Sequence, residues 1–160
     1  MNDVVSHIGK NVTLGQNVKI WHFTYIGDNT QIGDNTKIGS LVHIDYNVTI
    51  GKNCLIEGMS YIPPLTVIED DVFIGPNVTI TNDPYPKSNK LIGVHIGAQA
   101  IIGGGAVLKA GIRIGNQSVV GMGSVVINDV PNRMVVVGNP AKIKYSLKEY
   151  LQKKANWENS

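Results

Sequence analysis

Cysteine is nearly absent: Cys54 is the only one among 160 residues. No internal disulfide framework can form, and no cysteine-based zinc cluster is available. Charge is scarce as well, at 16% against the roughly 25% usual in soluble domains. With 42% hydrophobic content, that excludes a disordered chain, which would be charge-rich and apolar-poor. Neither sign dominates: 14 basic against 12 acidic residues leave a net +2, too little to announce a nucleic-acid partner. No run approaches the ~18 apolar residues of a membrane span. Met1-Asn2-Asp3 carries no basic and apolar leader, so the expected compartment is the cytoplasm. The length suits one domain.

What the sequence does have is a period of six. Apolar residues recur without a slip from Ile8 through Leu14, Ile20, Ile26, Ile32, Ile38, Ile44, Ile50, Ile56, Ile62, Ile68 and Ile74 to Ile80. After an interruption the period resumes at Ile96, Ile102, Leu108, Ile114, Val120 and Val126. A helix wants spacings of three and four, and a simple strand wants alternation; six fits neither alone. Glycine often follows the apolar residue, and asparagine often stands two places later, as at Asn11, Asn17, Asn29 and Asn35. Both tolerate the left-handed backbone of a tight turn. The fifth position is small or β-branched, as at Val12, Thr30, Val42 and Cys54. Each hexad therefore reads as a short strand and a corner, with the isoleucine and the fifth residue pointing inward. Cys54 is then core and not a nucleophile. Three hexads make a triangular coil of 18 residues, and coils stacked at about 4.8 Å bury an isoleucine column that no single repeat could bury.

Sorting positions by 18 separates the sides of this prism. The corner after Leu14, Ile32, Ile50 and Ile68 is polar throughout. The corner after Ile20, Ile38 and Ile56 carries Phe23, Leu41 and Met59 instead of turn residues. Beside it, His7, Tyr25, His43 and Tyr61 form an outward ladder. An exposed apolar column of this kind predicts a subunit interface, and one sticky edge with closed symmetry predicts a trimer. Thr81 to Lys90 break the repeat as a loop, expected to border a groove with the ladder. The sequence divides into a β-helix domain over residues 1–144, with the loop at 81–94, and a C-terminal helix and tail over 145–160. The helix, read from Tyr145 to Asn156, is expected to cap the open end of the solenoid.

This pattern resembles the hexapeptide-repeat acyltransferases over roughly residues 7–140. The period does not set the hand of the coil; the resemblance implies an all-β, left-handed parallel β-helix and trimers with active sites between neighbouring prisms. Two motifs narrow the likeness. Ile20-Trp21-His22-Phe23 and Thr81-Asn82-Asp83-Pro84-Tyr85-Pro86-Lys87 are similar to segments of the nucleotide-sugar N-acetyltransferases that acetylate a 3-amino group, including the UDP-2-acetamido-3-amino-uronate enzymes. Lys87 stands where those enzymes usually have arginine, and the loop is shorter. The glycine-rich stretches Ile102-Gly103-Gly104-Gly105-Ala106, Gly121-Met122-Gly123-Ser124 and Gly138-Asn139-Pro140-Ala141-Lys142 look like that family's coenzyme A groove.

The resemblance implies acetyl-CoA as co-substrate, no required metal, and acetylation of a nucleotide-linked amino sugar for surface polysaccharide or glycan precursor synthesis. An amine is already a competent nucleophile, so positioning and oxyanion stabilisation carry most of the chemistry. The expected catalytic residues are Asn82, Asp83 and His22. Trp21, Tyr25, His43, Tyr61, Tyr85 and Lys87 are expected to contact substrate. Gly104, Gly105, Ala106, Gly123 and Ser124 are expected to line the coenzyme groove, with Lys142 and Lys144 meeting phosphates. His7 and His95 are read as structural. Three alternatives stand beside this one. A sugar hydroxyl acceptor would need a histidine base. A γ-class carbonic anhydrase would need three zinc-binding histidines, for which the spacings 22 to 43 and 43 to 95 are unsuited. The third is a scaffold without catalysis.

Overall fold

The computed structural model describes residues 6–160; Met1-Asn2-Asp3 and the first five residues of the β-helix domain lie outside the described residues. Two-residue strands follow one another from β1 (His7–Ile8) to β19 (Val125–Val126), ahead of β20 (Met134–Gly138), β21 (Ala141–Ser146) and one helix, α1 (Leu147–Glu158). Each short strand pairs in parallel with the strand 18 residues on: His7 with Tyr25, Tyr25 with His43, His43 with Tyr61. The result is three parallel sheets along a left-handed, three-sided solenoid. Face 1 begins at His7–Ile8, face 2 at Thr13–Leu14 and face 3 at Lys19–Ile20. Two departures break the 18-residue register: ten extra residues leave the coil between faces 1 and 2, so that Val67 pairs with His95, Phe73 with Ile101 and Thr79 with Val107, and the last coil is two residues shorter, so that Val119 pairs with Val135.

The hexad explains each turn of this coil. The fourth residue of most corners has φ near +55° to +67°, and asparagine holds it at Asn11, Asn17, Asn29, Asn35, Asn47, Asn53 and Asn77. At the corner between faces 2 and 3 the amides bond along the axis, Asn17 to Asn35 to Asn53 to Asp71, at 3.1–3.3 Å. The inward isoleucines from Ile26 to Ile114 are buried in one continuous core. Ile8 and Leu14 point the same way yet are exposed, because no described coil lies beneath them. Buried fifth-position hydroxyls do not go unpaired. Thr30 Oγ1 donates to the Asp45 carbonyl and Thr36 Oγ1 to Gly51, each reaching a corner of the next coil.

Cys54 sits in this column at 1% exposure, and burial pushes its thiol up to about 11. It should therefore resist an aromatic disulfide reagent at pH 8 until the protein is unfolded. Rapid labelling of the native protein would show that the coil opens at this rung.

The C-terminal end differs from the sequence reading. Tyr145 and Ser146 belong to β21, and the helix starts at Leu147, with Ser146 Oγ accepting the Glu149 N–H at 3.4 Å. β20 continues face 3 in parallel, and β21 folds back on it antiparallel, turning at Asn139–Pro140. That reversal sends α1 over the outside of face 3. Leu147 packs there with Val119 and Val135, joined by Tyr150, while Leu151 stays half exposed. The helix thus covers a side of the solenoid and does not plug its end. The inward residues Val126, Val130 and Val136 close the core there.

Candidate functional site

The loop between faces 1 and 2 is closed at its neck. Ile92 donates its N–H to the Asn82 carbonyl at 2.8 Å, and Thr81 Oγ1 ties the start of the loop to the coil above, donating to Leu108 and accepting from the Ala110 N–H. Inside the loop, Asp83 is the anchor. Its carboxylate accepts from the backbone N–H groups of Ser88 and Tyr85 and from the Ser88 hydroxyl, at 2.8–2.9 Å. The Ser88 amide above all holds this carboxyl below the usual carboxylate range. A depressed carboxyl stabilises the order it maintains at pH values above its unfolded pKa and loses that effect as pH falls through the lowered one, so the anchor is intact at neutrality. The geometry gives Asp83 a structural job; the Asn82 side chain makes no hydrogen bond among the described residues and is free for a ligand. Tyr85 and Lys87 stand exposed on the same loop.

Face 1 carries the ladder as a stack of rings. His7 and Tyr25 lie 4.7 Å apart, Tyr25 and His43 4.5 Å, both nearly parallel, and His43 and Tyr61 5.6 Å and tilted. The sequence reading missed Asp45. Its carboxylate accepts the Tyr61 hydroxyl at 3.0 Å and lies 3.9 Å from His43 Nε2. Burial first, and this bond second, push the Tyr61 phenol up to about 12. The signal was present, since Asp45 holds a corner place where most hexads have glycine. The ladder continues through Thr79, opposite Tyr61, and the chain leaves for the loop two residues later.

The edge between faces 3 and 1 holds the other candidates. Phe23, Leu41 and Met59 follow one another along it at 66%, 55% and 59% exposure. Beside them Trp21, Gly39, Ser40, Leu55, Glu57 and Gly58 line an open cleft of about 360 Å³. Higher on this edge Gly104, Gly105 and Gly123 replace side chains altogether. Gly103 and Gly105 donate to Val120 and Pro76 carbonyls, but the Gly104 N–H has no protein acceptor among the described residues. On the polar corners several equivalent amides are capped by carboxylates, as Lys10 is by Asp28, Gln16 by Asp34 and Lys52 by Asp70.

Ala106 and Ser124 turn their side chains away from the surface. Both occupy the inward fifth position and are wholly buried, and Ser124 Oγ accepts the Gly138 N–H at 3.1 Å, so neither side chain can line a groove. Lys142 and Lys144 are exposed on β21, the last strand of face 3.

Two expected catalytic groups do not meet within one chain. His22 lies on the edge between faces 3 and 1, and the loop leaves at the opposite edge of face 1. The rungs Tyr25, His43, Tyr61 and Thr79 place them three strand spacings apart along the axis as well, roughly 14 Å. His22 lies on the edge between faces 3 and 1, His43 on the next coil along face 1 and His95 on face 2, so one chain does not bring the three together. His95 is tied at 2.7 Å to Glu69, whose other oxygen accepts the Ala98 N–H. The bond to His95 is the main reason that the Glu69 carboxyl lies below its usual range.

Two family models match the chain: bacterial transferase hexapeptide (six repeats) over residues 29–64, and hexapeptide repeat of succinyl-transferase over residues 65–110 and 93–127. Between them they span more than half of it. PerB from Caulobacter crescentus, solved in complex with CoA and GDP-perosamine, is 27% identical with a TM-score of 0.57. That match covers 87% of this chain and 54% of PerB, so the chain spans about half the length of that relative. AntD, an N-acyltransferase from Bacillus cereus solved with dTDP and coenzyme A, is 22% identical with a TM-score of 0.77, covering 96% of this chain and 99% of AntD. A hexapeptide transferase family protein from Anaplasma phagocytophilum is 21% identical with a TM-score of 0.73, covering 98% of this chain and 94% of that one. The last two likenesses show a shared fold. No curated sequence matches the chain significantly. Among the described residues no helix is long and apolar enough to cross a membrane.

Proposed function

The chain belongs to the bacterial hexapeptide-repeat transferases, and from that premise we propose that it transfers the acetyl group of acetyl-CoA to the amino group of a nucleotide-linked amino sugar. The observation that carries this reading is the bare upper stretch of the edge between faces 3 and 1. There Gly104, Gly105 and Gly123 remove the side chains, and the Gly104 amide has no protein acceptor among the described residues. A pantetheine arm lying on such an edge can exchange hydrogen bonds with backbone, and a free N–H is the donor that a tetrahedral oxyanion requires. PerB, which shares 27% of its aligned residues with this chain, was solved with CoA and a nucleotide-linked amino sugar.

In the proposed reaction the neutral amine attacks the thioester carbonyl, the carbon–nitrogen bond forms and the carbon–sulfur bond breaks. The nitrogen gives up one proton and the departing thiolate takes one. Asn82, with its side chain unengaged, orients the amine and accepts its hydrogen bond, and Asp83 keeps the loop in place. Acyl transfer of this kind depends on placing an already competent nucleophile. A hydroxyl acceptor would call for a histidine base oriented by a carboxylate. The histidine with a carboxylate at hydrogen-bond distance is His95, on face 2, away from the glycine edge.

We further propose a homotrimer. His22 and Asn82 lie on opposite edges of face 1, and only a second copy can set one chain's loop against another's edge between faces 3 and 1. The exposed column of Phe23, Leu41 and Met59 supplies the apolar contact.

The test is a thiol-release assay with acetyl-CoA and a panel of nucleotide-linked amino sugars. Acetyl-dependent thiol release with an amino sugar, and none with its hydroxyl counterpart, is expected. Asn82→Ala should lower turnover about 100-fold with its melting temperature unchanged. Asp83→Ala should instead loosen the loop, raising its protease sensitivity along with the loss of rate. If Asn82→Ala lost stability and rate together, the residue would be structural and the proposed placement of the amine would fail.

A further inference from the structure

We infer that the cleft at Trp21 and Glu57 is built for a guanine base, so that the nucleotide carrying the sugar is a guanosine diphosphate. The inference rests on the reading of the substrate as nucleotide-linked. Trp21, Gly39 and Glu57 hold the same corner place on three successive coils, directly after Ile20, Ile38 and Ile56. Side chains therefore rise from the first and third rungs, with a bare rung between them. Two strand spacings, about 9.6 Å, separate the indole rung from the carboxylate rung. The bare rung leaves room for one planar heterocycle standing along the axis against the indole, with its edge turned to the carboxylate. Ser40 and Gly58 keep the floor shallow, and Leu55 closes one wall with an apolar side chain.

Glu57 is the informative residue. It is half buried, yet its carboxylate has neither a hydrogen bond nor an ion pair among the described residues. Elsewhere on this solenoid the carboxylates that cap corners are engaged, Asp28 and Asp34 by backbone amides and Glu69 by an amide and a histidine. Glu57 caps nothing and faces the cleft. A carboxylate offers two acceptors side by side, and the base edge with two adjacent donors is guanine's, N1–H and N2–H. Uracil and thymine present a single N3–H between two carbonyl oxygens, so a carboxylate there gains one bond and meets two repulsions. The amino groups of adenine and cytosine each stand next to an acceptor nitrogen, which leaves one carboxylate oxygen opposed.

Titration calorimetry of the full chain with GDP, UDP, dTDP, ADP and CDP decides the matter. GDP is expected to bind about tenfold or more tighter than UDP or dTDP, as one bidentate base contact implies. Glu57→Gln presents an amide N–H to one of guanine's donors and should erase that preference without changing the melting temperature. Trp21→Ala should weaken every nucleotide by about tenfold and leave their order unchanged. Tighter binding of UDP or dTDP, an unaltered GDP affinity in Glu57→Gln, or no nucleotide binding at all would overturn the inference. Acetyl-CoA titrated into the same samples keeps the two claims apart. Acetyl-CoA binding without a guanine preference sinks the base assignment alone. A guanine preference without acetyl-CoA binding sinks the acetyl transfer alone.

Discussion

Gly105→Asn is expected to cut acetyl-CoA affinity about 100-fold, near 2.8 kcal/mol, while the protein melts where the parent does. Gly105 has φ +69°, a left-handed backbone that disfavours most side chains. Asparagine is the exception this solenoid already uses. It holds the equivalent place at Asn29, Asn35 and Asn53, with φ of +57° to +58°. Space is no obstacle either, because a Cβ at Gly105 would meet nothing closer than the Gly123 nitrogen at 4.0 Å. The corner can therefore take asparagine without strain, and a glycine there answers to something other than folding. Filling it projects an amide over the edge on which the coenzyme is proposed to lie. Gly123, at φ +66° with nothing within 4 Å of an added Cβ, should behave alike. Calorimetry with acetyl-CoA checks the first half and thermal denaturation the second. Parent-like affinity in both variants would mean that these glycines serve only as corners, and the coenzyme edge would have to be sought elsewhere.

Phe23→Glu should convert the oligomer to monomer and abolish turnover in the same sample. Phe23 is two-thirds exposed in the single chain, at φ +58°, so a charge there removes little from the fold of one prism. In an assembly it would be buried against a neighbour, and an unpaired carboxylate in an apolar contact costs several kcal/mol. Loss of activity should follow from geometry, since His22 and the Asn82 loop lie on opposite edges of face 1. Sedimentation velocity reads the assembly and thiol release reads the rate. A fully active monomer would refute a site shared between chains, and the apolar edge would then need another explanation.

The two variants test features that the sequence displayed with different clarity. The isoleucine column and the asparagine corners were legible because the coil repeats every 18 residues. One linear period then fixes burial, turn conformation and strand pairing together. The apolar column of Phe23, Leu41 and Met59 was legible for the same reason. The role of Asp83 was not, because three hydrogen bonds converge on its carboxylate only once the loop has closed. Ala106 and Ser124 sit in glycine-rich stretches, and the hexad position that makes their side chains core was available in the period itself. Asp45 and Glu57 replace the glycine that most hexads have at that corner place; the departure was visible in the period, but what each carboxylate meets was not.

The sequence by itself determined the solenoid, its three sides, the break at residue 81 and the edge that lacks a polar face. Those follow from local turn chemistry and a fixed repeat length. Tertiary structure alone decided which groups share a neighbourhood. It turned α1 back onto face 3 through the antiparallel β21, engaged Asp83 within its loop, left Glu57 unpaired beside Trp21 and held His22 away from Asn82. Such contacts depend on where side chains end several ångströms from a backbone whose course the repeat had already set, and no period records that.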